Sequence, residues 1–241
     1  MGKLRKRTIL SIWLGRLSAE KAAVYEPSVR DLETGYSLMS VALDEGLRLN
    51  EAGELWAARR SAELCGELAE RHAGLLCGAL ETMERRSRHF GSLPEVQPLD
   101  AETFRGEAAR KASKWNALLH TVLFSARARW FHKLLTLEEI LWEVRRTFLE
   151  TAGGLADGAS VAPERDWSTL ERAHDDWNTC LRECTILLKC LLDTLAPGEV
   201  EELRRELEDQ RQGAERRSSE WVEKRKRTAR AMRREGPARA W

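Results

Sequence analysis

Residues 167 to 195 carry an apolar stripe whose successive members are separated by alternating steps of three and four residues. The members are Trp167, Leu170, His174, Trp177, Leu181, Cys184, Leu188, Leu191 and Leu195. This spacing places every member on one side of an α-helix, and that side is buried when the helix packs against other helices. The stripe therefore predicts a long helix inside a helical bundle.

Similar stripes recur in residues 55–83 and, less regularly, in residues 112–148. The first is rich in small residues and consists of Leu55, Ala58, Ala62, Cys65, Ala69, His72, Leu76, Ala79 and Met83. The second consists of Ala112, Trp115, Leu119, Val122, Ala126, Trp130, Leu134, Leu137, Leu141, Val144 and Phe148. We therefore predict an all-α fold, an antiparallel bundle of three or four long helices over residues 28–196.

Breaks between the stripes follow turn residues. Gly91, Pro94 and Pro98 predict a loop, after which Asp100 is the expected N-cap of a helix that Gly153 and Gly154 end. The weaker signals near Gly46 and Gly53 leave open whether residues 28–90 form one bent helix or two.

Two further segments flank the predicted bundle. Residues 1–27 are expected to form a basic amphipathic leader, and residues 197–241, after Pro197 and Gly198, a charged helical arm with a basic tail. The apolar line of this arm is thin and consists of Val200, Leu203, Leu207, Ala214 and Trp221. We expect the arm to bury little apolar surface.

The formal net charge of +1 conceals a polarised arrangement, because both ends of the chain are basic and the middle is acidic or neutral. The basic residues of the leader are Lys3, Arg5, Lys6 and Arg7. They precede a broad apolar helical face that includes Trp13 and is typical of a segment that docks on a bundle or on an anionic surface. The same pattern imitates a secretory signal, although its apolar part is short and Ser11 interrupts it.

The C-terminal tail holds seven basic residues with no acid before Glu235. They are Lys224, Arg225, Lys226, Arg227, Arg230, Arg233 and Arg234. Such a run can bind phosphate groups through charge and counterion release, whereas many charged helices only face water. Trp13 and Trp221 lie next to basic residues and can anchor at a lipid surface, stack on bases or fill a groove on a partner.

The five cysteines fall within predicted helices, and their odd number fits no closed disulfide framework. A reducing cytoplasm is therefore the expected location, with peripheral membrane contact as a further option. No apolar run approaches the roughly 20 residues that span a bilayer.

Glu171 and His174 have the i, i+3 spacing that di-iron bundles use for metal ligands. Such a site needs a second pair of this kind, and no other histidine has a glutamate three residues before it. We therefore expect His174 to be a hydrogen-bonded residue at the edge of the core, and we predict no cofactor. His72 lies among small residues that could leave room for a ligand.

We predict a non-enzymatic scaffold or adaptor that acts through association with a protein partner or with itself. In its basic leader, long helices and size the chain also resembles the BAR family, which implies a peripheral membrane protein. The remaining alternatives are a sequence-neutral nucleic-acid binder that uses the basic tail and a metal-binding bundle that uses Glu171 and His174. The sequence identifies no small-molecule substrate.

Overall fold

The computed structural model describes residues 17–235, with side chains for residues 17–216 and the backbone alone for residues 217–235. Within this part of the chain the fold is all-α and contains six α-helices. The helices are α1 (Ala19–Glu51), α2 (Leu55–Ser87), α3 (Gly106–Thr121), α4 (Ala126–Asp157), α5 (Pro163–Thr194) and α6 (Pro197–Glu235). The predicted all-α class is confirmed for these residues.

Helices α1, α2, α4 and α5 form a four-helix core in which neighbours run antiparallel. A three-residue turn joins α1 to α2, and residues 158–162 join α4 to α5. Trp167 near the start of α5 contacts the end of α1, where it lies against Gly46. Lys21 near the start of α1 donates from Nζ to the main-chain oxygen of Asp193 at the end of α5. These contacts fix the opposite directions of α1 and α5.

The buried side of α2 is built largely from small residues, as the stripe in residues 55–83 predicts. Its small members are Ala58, Ala62, Cys65, Gly66, Ala69, Ala73, Gly78 and Ala79. Small side chains allow close helix approach, and α2 packs against α1, α4 and α6 at once. Leu55 is the one member of this stripe that is exposed, and it lies in the first turn of the helix.

The stripe in residues 112–148 belongs to two helices, so the expectation of one long helix is wrong. Helix α3 ends at Thr121, and α4 begins at Ala126, where the side chain of Ser125 accepts a hydrogen bond from the Ala128 main-chain N–H. Residues 121–124 are Thr, Val, Leu and Phe, of which only leucine favours the helix strongly. The break allows Trp115 of α3 to stack on His132 of α4, with ring centroids 4.9 Å apart.

Two other boundaries also differ from those expected. Asp100 precedes a short 3-10 turn, Ala101–Thr103, and forms no side-chain cap. Helix α4 passes through Gly153 and Gly154 and ends at Asp157, because Gly158 adopts the left-handed conformation (φ 69°) that closes a helix. Residues 28–90 contain two helices with a reversal at Gly53 (φ 75°).

Helix α6 packs antiparallel to α2 and extends the core to five long helices. Val200, Leu203, Leu207 and Ala214 are buried, so the expectation that this segment buries little is wrong for residues 197–216. Gly74 and Gly78 of α2 face α6, where a Cβ atom would lie 3.4 to 3.6 Å from Gln210 and Ala214. The glycines therefore allow the two helices to approach closely. The expected boundary between residues 27 and 28 falls inside α1, which continues through Pro27.

Residues 1–16 and 236–241 lie outside the described part of the chain. In the described part, no helix is both long and apolar enough to cross a bilayer.

Candidate association surface

Three apolar side chains are exposed at one end of the bundle, and we refer to Leu55, Trp56 and Val161 as the apolar end face. Leu55 and Trp56 begin α2, and Val161 lies in the α4–α5 connection. Trp56 is 80% exposed and Val161 is fully exposed. Leu55 also lines a depression of about 60 Å³ between these two elements. Exposed apolar groups that lie together commonly mark a binding surface.

Two tight turns hold the apolar end face in place. Gly53 has a positive φ of 75°, which lets the chain reverse immediately before α2. The guanidinium of Arg59 lies against Gly158, so close that a Cβ atom at Gly158 would be 2.5 Å from Arg59 Cζ. Arg59 thus joins the first turns of α2 to the α4–α5 connection.

The structure places Glu171 and His174, the pair with the spacing of di-iron ligands, in different surroundings. Glu171 is exposed, whereas His174 is half-buried and turned toward α1. His174 Nδ1 lies 3.2 Å from the Tyr36 hydroxyl and Nε2 lies 2.9 Å from Ser40 Oγ, so both ring nitrogens have partners. Its ring stacks on Tyr36, with centroids 4.4 Å apart, and burial lowers its pKa. Among the described residues, no three His, Cys, Asp or Glu side chains are grouped to hold a metal ion.

His72 lies in the centre of the core and is neutral near pH 7, because burial lowers its pKa to about 4. Trp177 donates from Nε1 to His72 Nδ1 at 2.9 Å, so the neutral ring carries its proton on Nε2. The ring fits because residue 35 is glycine, where a Cβ atom would lie 2.8 Å from His72 Cδ2. A gap of about 110 Å³ adjoins His72 and is lined by Gly35 and by longer side chains of α1, α2 and α6.

A buried ion pair joins Lys133 of α4 to Glu183 of α5, with 2.9 Å between Nζ and Oε2. Lys133 Nζ also donates to the main-chain oxygen of Gln97 at 2.8 Å. Asp176 accepts from the Arg105 main-chain N–H at 2.8 Å, and burial raises its pKa to about 6. These contacts hold the connection between α2 and α3 against the core. They satisfy buried polar groups that would otherwise oppose folding.

The sequence analysis did not single out these polar residues, although a signal exists for one of them. Lys133 lies three residues after Trp130, on the apolar side of its helix. A charged residue in that position indicates a buried partner. The identity of the partner depends on the fold, because Glu183 is fifty residues away in the chain.

All five cysteines are free, and three of them are fully buried. Burial raises the pKa of Cys65 and of Cys184 to about 12 and raises that of Cys180 well above its ordinary value. A thiol that remains protonated reacts slowly. These cysteines therefore act as small apolar core residues.

A cleft of about 550 Å³ separates α1 from the first half of α6. Its floor is apolar and includes Val24, Leu32, Leu188 and Leu207. Its walls carry charged residues of both signs: Arg30, Arg204, Arg205, Arg211, Asp31, Glu208 and Asp209. We refer to this feature as the α1/α6 cleft.

Charge is divided sharply between the bundle and the two ends of the chain. Residues 17–216 contain 26 Lys and Arg against 36 Asp and Glu, a formal charge of −10. Residues 1–16 contain five basic residues and no acid, and residues 217–241 contain nine basic and three acidic residues. The predicted docking residues Lys3, Arg5, Lys6, Arg7 and Trp13 lie outside the described residues.

The predicted polyanion-binding residues lie on the second half of α6, where the structure describes the backbone but no side chains. They are Lys224, Arg225, Lys226, Arg227, Arg230, Arg233 and Arg234, and Trp221 belongs to the same part of the helix.

No protein-family model, no curated protein sequence and no solved structure gives a significant match to this chain.

Proposed function

We propose that this protein is a non-enzymatic helical scaffold or adaptor that associates with a protein partner or with a second copy of itself through the apolar end face. The observation that carries the proposal is the exposure of Leu55, Trp56 and Val161 at one end of the bundle. Tryptophan is enriched among the residues that contribute most to protein–protein affinity. The fixed backbone reduces the entropy that association would cost.

The interior of the bundle supports a structural role. The buried polar side chains Lys133, Glu183 and Asp176 each contact a different element of the fold. They contribute to one defined arrangement of the helices. A rigid body with an apolar surface at one end is suited to holding a partner in a fixed orientation.

A photo-crosslinking amino acid at position 56 tests the proposal, with the same amino acid at position 124 as the control. Phe124 is 89% exposed and lies at the opposite end of the bundle, so both sites are accessible. Crosslinking in a native lysate, combined with light scattering of the purified chain, is expected to show one discrete adduct from position 56 only. Equal adducts from both positions, or none from position 56, would contradict the proposal.

The division of charge supports a second candidate function, which is contact with a polyanion through the basic ends. For the membrane form of this candidate, the leader docks the bundle on an anionic bilayer. Reversing the charges of Lys3, Arg5, Lys6 and Arg7 is then expected to abolish binding to anionic vesicles. Vesicles that fail to bind the intact chain exclude this form.

For the nucleic-acid form, the second half of α6 contacts the phosphate backbone without reading the sequence. A chain that ends at Glu223 is expected to lose affinity and to show a shallower dependence on salt concentration. Unchanged affinity and salt dependence would exclude this form. We also propose a cytoplasmic location, which the free cysteines support because free thiols are typical of a reducing compartment.

A further inference from the structure

We propose that the α1/α6 cleft binds the N-terminal segment of the same chain, residues 1–16, which folds back along α1. This contact is independent of the apolar end face, because Leu55, Trp56 and Val161 do not line the cleft. When the segment is docked, its apolar side is covered and cannot insert into a bilayer.

The position of Leu17 supports this occupant. The chain bends at Leu17, Ser18 caps α1 in an extended conformation, and Leu17 itself packs against the core. The lining of the cleft begins at Ala23 and Val24, about one turn after the start of α1. The segment that precedes Leu17 therefore enters the fold beside the near end of the cleft.

The N-terminal segment and the α1/α6 cleft also match in length and in the placement of apolar residues. The segment carries an apolar helical side made of Ile9, Leu10, Ile12, Trp13 and Leu14, which Leu17 continues. As a helix, residues 9–17 extend over about 12 Å, and the cleft follows α1 over residues 23–32, which is about 14 Å. The apolar floor of the cleft, formed by Val24, Leu32, Leu188 and Leu207, can cover this side.

Charge favours the same placement. The segment contains five basic residues and no acid, and residues 17–216 carry a formal charge of −10. Folding back antiparallel to α1 brings Lys3 and Lys6 toward the far part of the cleft, which Asp31, Glu208 and Asp209 line. The cleft also carries arginines. Arg204 binds Glu201 (2.8 Å), and Arg211 binds Glu208 (2.8 Å) and Asp31 (3.2 Å), so Asp209 is the carboxylate of the lining that lies outside these ion pairs.

Zero-length carbodiimide crosslinking of the full chain tests this proposal. Equal amounts of unlabelled and ¹⁵N-labelled protein are mixed, and amide bonds between lysine and carboxylate are mapped by mass spectrometry. We expect Lys3 or Lys6 linked to Asp31, Glu208 or Asp209, with both halves of each linked peptide carrying the same label. The Lys189–Asp193 pair, 2.8 Å apart, serves as the internal positive control.

Variants of the segment separate specific docking from nonspecific charge attraction. Leu10→Ser with Leu14→Ser keeps both lysines and removes two leucines from the proposed contact. We expect these crosslinks to fall at least about tenfold, because burial of one leucine changes an equilibrium by roughly that factor or more. The matched control, Thr8→Ala with Ser11→Ala, alters the opposite side of the segment and is expected to retain them.

A substitution in the cleft completes the test. Ala23→Arg places a cation at an exposed position of the lining, and Ala117→Arg makes the same change at an exposed position of α3. Only the first is expected to reduce the crosslinks. Peptides that join two different labels would show that a second copy occupies the cleft. Absence of the crosslinks while Lys189–Asp193 forms would also overturn the proposal.

Discussion

Replacement of Gly46 by alanine provides a sharp test of how α1 packs against α5. A Cβ atom at residue 46 would lie 2.3 Å from Trp167 Cη2, 2.7 Å from Trp167 Cζ3 and 3.2 Å from Ser61 Cβ. The indole of Trp167 is buried, so it has little room to withdraw. Carbon atoms in contact are normally about 3.5 to 4.0 Å apart, so the ring or the helix must shift by more than 1 Å.

Two opposing effects set the magnitude for Gly46→Ala. Alanine favours the helix over glycine by about 1 kcal/mol, whereas overpacking of a core costs about 1–3 kcal/mol. Because the new Cβ atom would lie so close to Trp167, the upper end of the overpacking cost applies. We therefore expect a net loss of about 2 kcal/mol in the free energy of unfolding. For a chain of this size, that corresponds to a fall of roughly 4–8 °C in Tm.

Denaturant unfolding followed by tryptophan fluorescence measures this loss, with Gly153→Ala as the matched control. Gly153 also lies inside a long helix, but a Cβ atom there would meet nothing within 4 Å. The control is therefore expected to gain up to about 1 kcal/mol.

A double-mutant cycle with Trp167→Phe identifies the cause. The smaller ring removes the atoms that the new Cβ would meet, so Gly46→Ala is expected to be nearly neutral in that background. The reasoning is refuted if Gly46→Ala is as stable as the unmodified chain, or if its cost is the same with Phe at position 167.

Three further predictions concern buried polar and thiol groups. Lys133→Met leaves the Glu183 carboxylate buried without its cation and should lower the free energy of unfolding, measured with denaturant, by about 3–5 kcal/mol. The double variant, Lys133→Met with Glu183→Leu, should recover most of that loss. Burial raises the pKa of Asp176 to about 6 in the folded protein, above its ordinary value of 3.8. The protonated carboxyl group therefore stabilises the fold fully below pH 3.8, and this stabilisation is lost as the pH rises through 6. Asp176→Asn should therefore gain stability relative to the unmodified chain between pH 4 and pH 7, and parallel stability–pH curves would contradict this assignment. In the folded protein a thiol reagent should modify the half-buried Cys77 and Cys190 before the three buried cysteines, and equal rates at all five would show that the bundle opens as a unit.

The apolar stripes predicted most of the helix sides that are buried. In residues 167–195 every member of the stripe is buried except His174, which is half-buried. In residues 55–83 the exception is Leu55, at the exposed end of the bundle. Helical spacing depends on the local geometry of the backbone and can therefore be detected without knowledge of neighbouring helices.

The candidate surface was not predicted in the same way. Leu55, the neighbour of Trp56, and Trp167 are each the first member of an apolar stripe, yet Leu55 is exposed and Trp167 is buried. Their difference arises from where each helix begins relative to the ends of the other helices. The residues singled out for their charge lie at the ends of the chain, where no side chain is described.

The sequence by itself determined the helical class and the buried side of most helices, because hydrophobic periodicity is a property of residues three and four apart. Only the tertiary structure decided that Lys133 meets Glu183 and that α6 packs on the glycines of α2. Each of these depends on side chains far apart in the sequence, whose contact is fixed by how complete helices fit against one another.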